Sequence, residues 1–584
     1  MKWTRICICL IALSQFTFSQ ALDNSEIKGR IINASDMSLK IGDIDVPISG
    51  NGNFRFQTKM EFPKILDIKC GKMSWSIFLE PGKNVKLEVN ASDLSSLNYN
   101  GDLISANYCL KKISLLDVGT NDYFNNNWAQ IHIQDEAKFI SIVDSLKRQY
   151  LKLLPEYQDK NKNYRGDFVK LLNAEIDFGF NYLIVAYPEI HRKFTGEKIF
   201  LSKEGCDYLN ASSIDDTTLM HSSAFLKYCR KWIDYNADLL VNANTEQKNY
   251  NLKKMDVFPK VLSIVFKNKT LQDYWFSEYL NEHIDNTGIA NSGKYLKEFD
   301  TICTTEVYRK RINELYTSYV NAEKDHIVKL FKTINGFKLN AHIFYPDNIN
   351  QNEKRTAIVI FYRGGFVLGN PSWAFAKAKH YASKGMIAIA AQYRLSNFKD
   401  ITPIDAIQDA KDLRFWLRKN ADSLKIIDNK IAASGWSAGG QICASLAIFA
   451  DTSHNSKINT SPNALLLTSP GTSSRGWFTE LLNGAKINPL DYSPIDHIRP
   501  GLPPTIILQG RDDTLTPLED VQLFYNRLVA KGNYCEIWIY DKVGHLFTPT
   551  YLVDNGWPRP DREVQKQADL KADRFLTKFG YIKE

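Results

Sequence analysis

Three residue types that together make a hydroxyl nucleophilic occur in this chain at consecutive strand ends. The first is Ser437, set in Gly435-Trp436-Ser437-Ala438-Gly439 and followed at once by Gly440. Residues 430–434 read as a short buried strand, and Ile442, Leu446 and Phe449 recur afterwards at helical spacing. A serine at so abrupt a strand-to-helix turn takes a strained backbone conformation, and glycines on both sides leave room for the crossing segments. The N–H groups that follow it, that of Ala438 first, open a helix, where they can stabilise an oxyanion. A serine hydroxyl is a weak nucleophile at neutral pH, so it needs a base, and the base needs a carboxylate to orient it. His545 follows the apolar run 535–540 in Val543-Gly544-His545, and two acids follow the run 505–509 in Gly510-Arg511-Asp512-Asp513. The order serine, acid, histidine at successive strand ends is that of an acyl-transfer triad, with Asp513 as the acid.

Elements that would carry these groups occupy residues 325–584. Residues 327–333 and 338–345 flank Asn335-Gly336, a hairpin signal. Strands are expected at 356–362, 386–392, 430–434, 464–468, 505–509 and 535–540, and helices at 373–384, 404–420, 437–450, 518–531 and 561–579. Such alternation predicts an α/β fold, a largely parallel sheet with helices on both faces and its chemistry in loops at the strand carboxyl ends. His326, His342, His380, His454 and His497 do not follow a late strand in this way.

With these motifs in place, residues 325–584 resemble the α/β-hydrolase superfamily, near the hormone-sensitive-lipase-like and acetyl-xylan-esterase-like carboxylesterases. The matching stretches are VIFYRGGFVLGNP (359–371), KGMIAIAAQYRLS (384–396), PIDAIQDAKDLRFWLRKNA (403–421), GWSAGG (435–440), GRDDTLTP (510–517) and VGH (543–545). The resemblance implies that Gly364 and Gly365 present oxyanion N–H groups beside that of Ala438. It departs from the family's His-Gly-Gly-Gly at Tyr362-Arg363. Counting along GRDDTLTP in the family pattern also selects Asp513 over Asp512. The implied activity is hydrolysis of short-chain acyl esters by an exported serine carboxylesterase, acetyl groups on carbohydrates among them, with no cofactor and no metal. Trp436 is closer to the nucleophile motif of prolyl-oligopeptidase-type peptidases, which is the alternative reading. A third is a hydrolase-fold binding protein that is inert.

The chain has 584 residues, 44% hydrophobic and 24% charged, enough for about three cores on the usual domain size. Its formal charge of +8 comes from 73 basic and 65 acidic residues without a dense basic block, so charge points to neither nucleic acid nor a membrane surface. Residues 1–20 have the layout of a secretory signal peptide: Lys2 and Arg5, an apolar run at 6–13, then small and polar residues. Export places the mature protein outside the cell or in the periplasm, and no later apolar run is long enough to span a bilayer. Residues 22–100 read as short strands between turns, a small β-sandwich or barrel resembling the N-terminal β domain of exported Bacteroidetes-type multidomain proteins. Residues 103–322 read as a helical domain, and both regions are expected to be accessory, with partners unspecified. Seven cysteines after the leader are scattered, read as mostly buried thiols, with Cys206 and Cys229 a candidate pair.

Overall fold

The computed structural model of the chain describes residues 23–583 except 35–38, 43, 155–165, 211–213, 244–249, 290–291, 348, 351–352, 397–400, 450–458, 483–485 and 551–557. The leader expected at 1–20 lies outside the described residues, as does His454. The chain forms two compact units, one of residues 1–243 and 257–272, the other of 244–256 and 273–584.

The first unit begins with strands β1 (Asp23–Ile32), β2 (Leu39–Ile41), β3 (Ile44–Val46), β4 (Asn53–Met60), β5 (Lys64–Cys70), β6 (Met73–Leu79), β7 (Asn84–Asn90) and β8 (Asp93–Gly101). They make two four-stranded sheets, ordered β4-β1-β7-β8 and β3-β2-β5-β6. Alternate residues of both sheets, Ile27, Val85 and Leu87 from one and Ile68, Trp75 and Ile77 from the other, bury into one apolar cluster. That is the sandwich arrangement that half-buried strands of period two produce. Helices follow: α1 (Ile104–His132), α2 (Glu136–Leu151), α3 (Gly166–Thr195), α4 (Lys203–Asn210), α5 (Ser223–Ala243) and α6 (Tyr250–Val265). Cys206 and Cys229 are free thiols, which corrects the candidate pairing, and burial holds the Cys229 thiol well above its ordinary pKa. No helix of the described residues is long and apolar enough to cross a membrane.

The helix α7 (Lys269–Thr287) leads into the second unit, which also holds α8 (Gly293–Ile302) and α9 (Glu306–Ala322). The boundary expected at 325 therefore lies inside this unit. Its sheet has eight strands: β9 (Ile327–Ile334), β10 (Phe337–Phe344), β11 (Arg355–Phe361), β12 (Ile387–Ala391), β13 (Ile426–Trp436), β14 (Ala464–Thr468), β15 (Thr505–Gly510) and β16 (Cys535–Tyr540). The order is β16-β15-β14-β13-β11-β12-β10-β9, antiparallel at the β9, β10 and β12 pairings and parallel from β12 to β16. The helices between and after them are α10 (Phe375–Ser383), α11 (Pro403–Lys419), α12 (Ala438–Ile448), the single turn α13 (Trp477–Glu480), α14 (Leu518–Ala530) and α15 (Arg562–Lys578). Two apolar clusters, one with Ile389, Val359 and Ile442 and the other with Ile360, Ile506 and Phe575, cover the two faces. Because β12 lies on one side of β11 and β13 on the other, the chain changes direction across the sheet at β11, the point where open α/β sheets place their ligand sites, at the carboxyl ends of the strands.

At the far edge, His326 Nε2 and His342 Nδ1 share a hydrogen bond of 2.8 Å between the rings of Phe344 and Phe375. Burial, and then the neighbouring His326, push the His342 pKa down to about 3 from 6.5, and burial lowers that of His326 too, against the pull of Asp325 and with that of Lys379. The folded state thus stays neutral where the unfolded chain takes up a proton, so the contribution is intact above pH 6.5 and declines as pH falls towards 3. Unfolding in urea should show a loss of roughly 1.5 kcal/mol between pH 6.5 and 5 from His342 alone, absent in His342→Gln. Equal pH slopes for the two proteins would contradict this.

Candidate active site

The strand β13 ends in the serine turn. Ser437 has φ 55° and ψ −119°, outside the regions a side-chain-bearing residue ordinarily occupies. Its neighbours explain how the turn closes. A Cβ on Gly435 would lie 2.2 Å from the Gly439 carbonyl oxygen, and one on Gly439 would lie 2.1 Å from that of Phe361. The Ser437 N–H donates to Thr468 O at 3.1 Å, and its carbonyl accepts from Gln441 N and Gly471 N at 3.1 and 3.2 Å. The side chain of Ser437 remains partly exposed at the head of the buried helix α12. Trp436, which set the sequence apart from the esterases, packs against an apolar cluster beneath the sheet, so core packing accounts for it.

The acid and the histidine sit at the ends of β15 and β16. His545 Nδ1 lies 3.0 and 3.1 Å from the two carboxylate oxygens of Asp513, and both side chains are buried. The Asp513 carboxylate also accepts from Leu515 N, Thr516 N, Thr516 Oγ1 and Gln509 Nε2, at 3.0, 2.8, 2.8 and 3.2 Å. Burial drives its pKa upward, but the bonds and charge of His545 and the donors of Thr516 outweigh burial, and the net shift is downward from 3.8. Asp512, by contrast, is exposed and contributes its backbone N–H to Val543 O at 3.1 Å. Gly510 lets the two loops meet, since a Cβ there would lie 2.3 Å from Gly544 O. Leu546 and Phe547, at φ 50° and 64°, turn the chain sharply after the histidine.

A short segment after β14 ties these loops to the serine. Ser469 Oγ accepts from Leu546 N at 3.0 Å, Ser469 O accepts from Thr516 Oγ1 at 3.2 Å, and two residues on Gly471 N reaches Ser437 O. Gln509, Thr516 and Ser469 were not singled out from sequence. Thr516 lies within GRDDTLTP and was visible there as a polar residue in a strand-end loop, while nothing local marks Ser469.

Gly364 and Gly365 follow β11 in a tight loop, with φ +124° and +59°. Val367 N and Leu368 N both return to Gly364 O, at 3.0 and 3.1 Å. The N–H groups of Gly364, Gly365 and Ala438 have no acceptor among the described residues. The pairing Phe361↔Gly435 brings this loop level with the serine turn. Tyr362 is fully buried and stacks on Tyr393 with ring centroids 4.3 Å apart, and each hydroxyl donates to the other's carbonyl, at 3.4 and 2.9 Å. Arg394, next in the chain, makes a buried two-pronged pair with Asp409 at 2.9 Å for each contact, joined by Lys332. Arg363 lies over the Trp373 ring, 4.3 Å from its centroid. The Tyr362-Arg363 departure is therefore a loop built on ring stacking. The other histidines are engaged elsewhere: His380 with Asp573 at 3.0 Å and His497 with Leu490 O at 2.8 Å.

Residues 342–528 match the BD-FAE family. A thermophilic esterase from the Planctomycetes species Thermogutta terrifontis is 30% identical, over 45% of this chain and 95% of its own, with a TM-score of 0.41. Endo-1,4-beta-xylanase B of Butyrivibrio fibrisolvens is 28% identical over 200 residues, 31% of each chain. Esterase LipC of Mycobacterium tuberculosis is 26% identical over 219 residues, 34% of this chain and 52% of its own. The match thus spans 31% of the xylanase and 52% of LipC. The C-terminal half of the chain belongs to the α/β-hydrolases as a module of the carboxylesterase kind.

Proposed function

We propose that the chain is an exported serine carboxylesterase that hydrolyses short-chain acyl esters, with acetyl groups on carbohydrates as the favoured substrates. The observation that carries the proposal is the buried Asp513–His545 pair, tied through the segment 469–471 to the strained turn of Ser437. In this reading His545 removes the proton from Ser437 Oγ as the oxygen attacks the ester carbonyl carbon. The carbonyl oxygen becomes an oxyanion held by the N–H groups of Gly365, Ala438 and Gly364, a reading supported by their having no acceptor among the described residues. Collapse breaks the bond to the alcohol oxygen, which leaves with the proton from the imidazolium. Water, deprotonated by His545, then attacks the acyl-enzyme, and the acid departs as Ser437 recovers its proton. Asp513 holds the imidazole with Nδ1 protonated and stabilises its cation throughout.

The carbohydrate reading is supported by the xylanase likeness, and export by Lys2, Arg5 and the apolar run after them. A panel of aryl acetates, butyrates and octanoates, acetylated xylan fragments and peptide amides tests the proposal on the mature protein. Short esters and acetylated xylan should be turned over, with octanoates and amides at least tenfold slower in kcat/KM. Preferential cleavage of amides would replace the esterase reading with that of a peptidase.

A further inference from the structure

The loop carrying Gly364 and Gly365 is fastened to a helix outside the sheet. An α-helix leaves its last four carbonyls without intrahelical donors, and in α7 these belong to residues 284–287. Gly288 N takes Ile284 O at 2.8 Å. The next two are filled from the loop: Asn370 Nδ2 donates to Asp285 O at 2.6 Å and Gly369 N donates to Asn286 O at 3.0 Å. Gly288 turns the chain at φ +75°, a conformation that favours glycine, right beside Asn370, whose Cβ would be in ordinary contact with a side chain there at 3.5 Å. From α9, Tyr319 Oη donates to the Asp285 carboxylate and also meets the side chains of Ser372 and Asn370. Asn370 Oδ1 meanwhile accepts from Ser372 N at 2.9 Å, capping the turn that starts at Pro371.

The bonds bear on catalysis because the loop has no slack between the clamp and the glycines. A Cβ on Gly369 would lie 2.6 Å from the Tyr362 ring, and one on Gly364 would lie 1.9 Å from Leu368 O. A shift at 369–370 is therefore passed to 364–365, four to six residues away in a closed turn, instead of being absorbed. We infer that the carboxyl end of α7, locked by Tyr319, positions the oxyanion loop, with Asn370 and Tyr319 as positioning residues. The inference rests on the reading of Gly364 and Gly365 as oxyanion donors given above. It makes the helical segment 273–322 part of the enzyme even though every group proposed to touch substrate lies after residue 363.

The test uses the full mature chain with Asn370→Asp and Tyr319→Phe. Asn370→Asp keeps the acceptor for Ser372 N and sets a carboxylate oxygen against Asp285 O, where an N–H had donated. Tyr319→Phe removes one hydroxyl, keeps the ring, and carries the test should the first variant fold poorly. On a short aryl ester, kcat should fall roughly 10- to 100-fold in Asn370→Asp and about 3- to 10-fold in Tyr319→Phe, with KM within about twofold. The pH profile of kcat should be unchanged, because Asp513 and His545 are untouched, and the rate of labelling by a fluorophosphonate should fall in step with kcat. A lower melting temperature with kcat and labelling rate within twofold of wild type would overturn the inference and leave a merely structural clamp. A wild-type chain that neither labels nor hydrolyses esters would overturn the underlying functional reading, and this inference with it.

Discussion

Ser437→Ala and His545→Ala should each lose on the order of 10³-fold or more in kcat for ester hydrolysis while the fold persists. Alanine at 437 meets the same strained φ of 55° as serine, and the turn is set by Gly435, Gly439 and the bonds of the 437 backbone, none of which the substitution alters. What disappears is the oxygen that forms the acyl bond. His545 is different in kind: it is buried, and its loss leaves the Asp513 carboxylate without one of five donors and opens a cavity. Some loss of stability is expected there, so far-ultraviolet circular dichroism and a urea midpoint must accompany the kinetics. Near-full turnover in pure, folded Ser437→Ala would remove Ser437 from the mechanism.

The second large effect separates two adjacent acids. Asp513→Asn should lower kcat roughly 10²- to 10⁴-fold with KM little changed, because the amide cannot stabilise the imidazolium and favours the wrong tautomer of His545. The surroundings sharpen the expectation. Both Asp513 oxygens face only donors, two backbone N–H groups on Oδ1 and the Thr516 hydroxyl, the Gln509 amide and His545 on Oδ2, so an amide NH2 is opposed wherever it lies. Its depressed pKa also means that the carboxylate's stabilising bonds are present above about pH 4 and vanish as pH falls through the lower folded value. Asp512→Asn should cost at most about tenfold, since that side chain is exposed and only its backbone joins the loop. Both variants measured on one activated ester decide the matter, and a severe loss in Asp512→Asn with a mild one in Asp513→Asn would reverse the roles.

The parallel sheet was legible because its strands are short uninterrupted apolar runs between amphipathic helices, a pattern with few other solutions. Even so, β13 runs from Ile426 to Trp436, beyond the apolar stretch 430–434, because Ile426 pairs with Arg355 across a register shift while Gly435 and Trp436 extend the ladder to Phe361 and Thr468. The serine turn was legible for a stronger reason: its glycines are required by contacts under 2.5 Å with backbone that any side chain would violate. Local sequence could not reveal Ser469 or Gln509, whose roles come from which loop tips converge. The same limit hid the part played by α7. Asp285 and Asn286 are unremarkable polar residues in a helix, and only the fold shows that their carbonyls are among the helix's last four and that Gly369 and Asn370, more than 80 residues later by number, complete them. Tyr362 and Arg363 broke the family pattern in sequence, and the reason is tertiary as well: Tyr393 and Trp373 supply the rings they stack on.

That Ser437 is the acylated nucleophile can be read out by treating the purified protein with a fluorophosphonate and mapping the adduct by peptide mass spectrometry. One adduct per chain is expected on the peptide containing Gly435-Trp436-Ser437-Ala438-Gly439, assigned to Ser437, with parallel loss of ester hydrolysis and no labelling in Ser437→Ala. An adduct on a different residue, or ester turnover that survives complete labelling of Ser437, would contradict it.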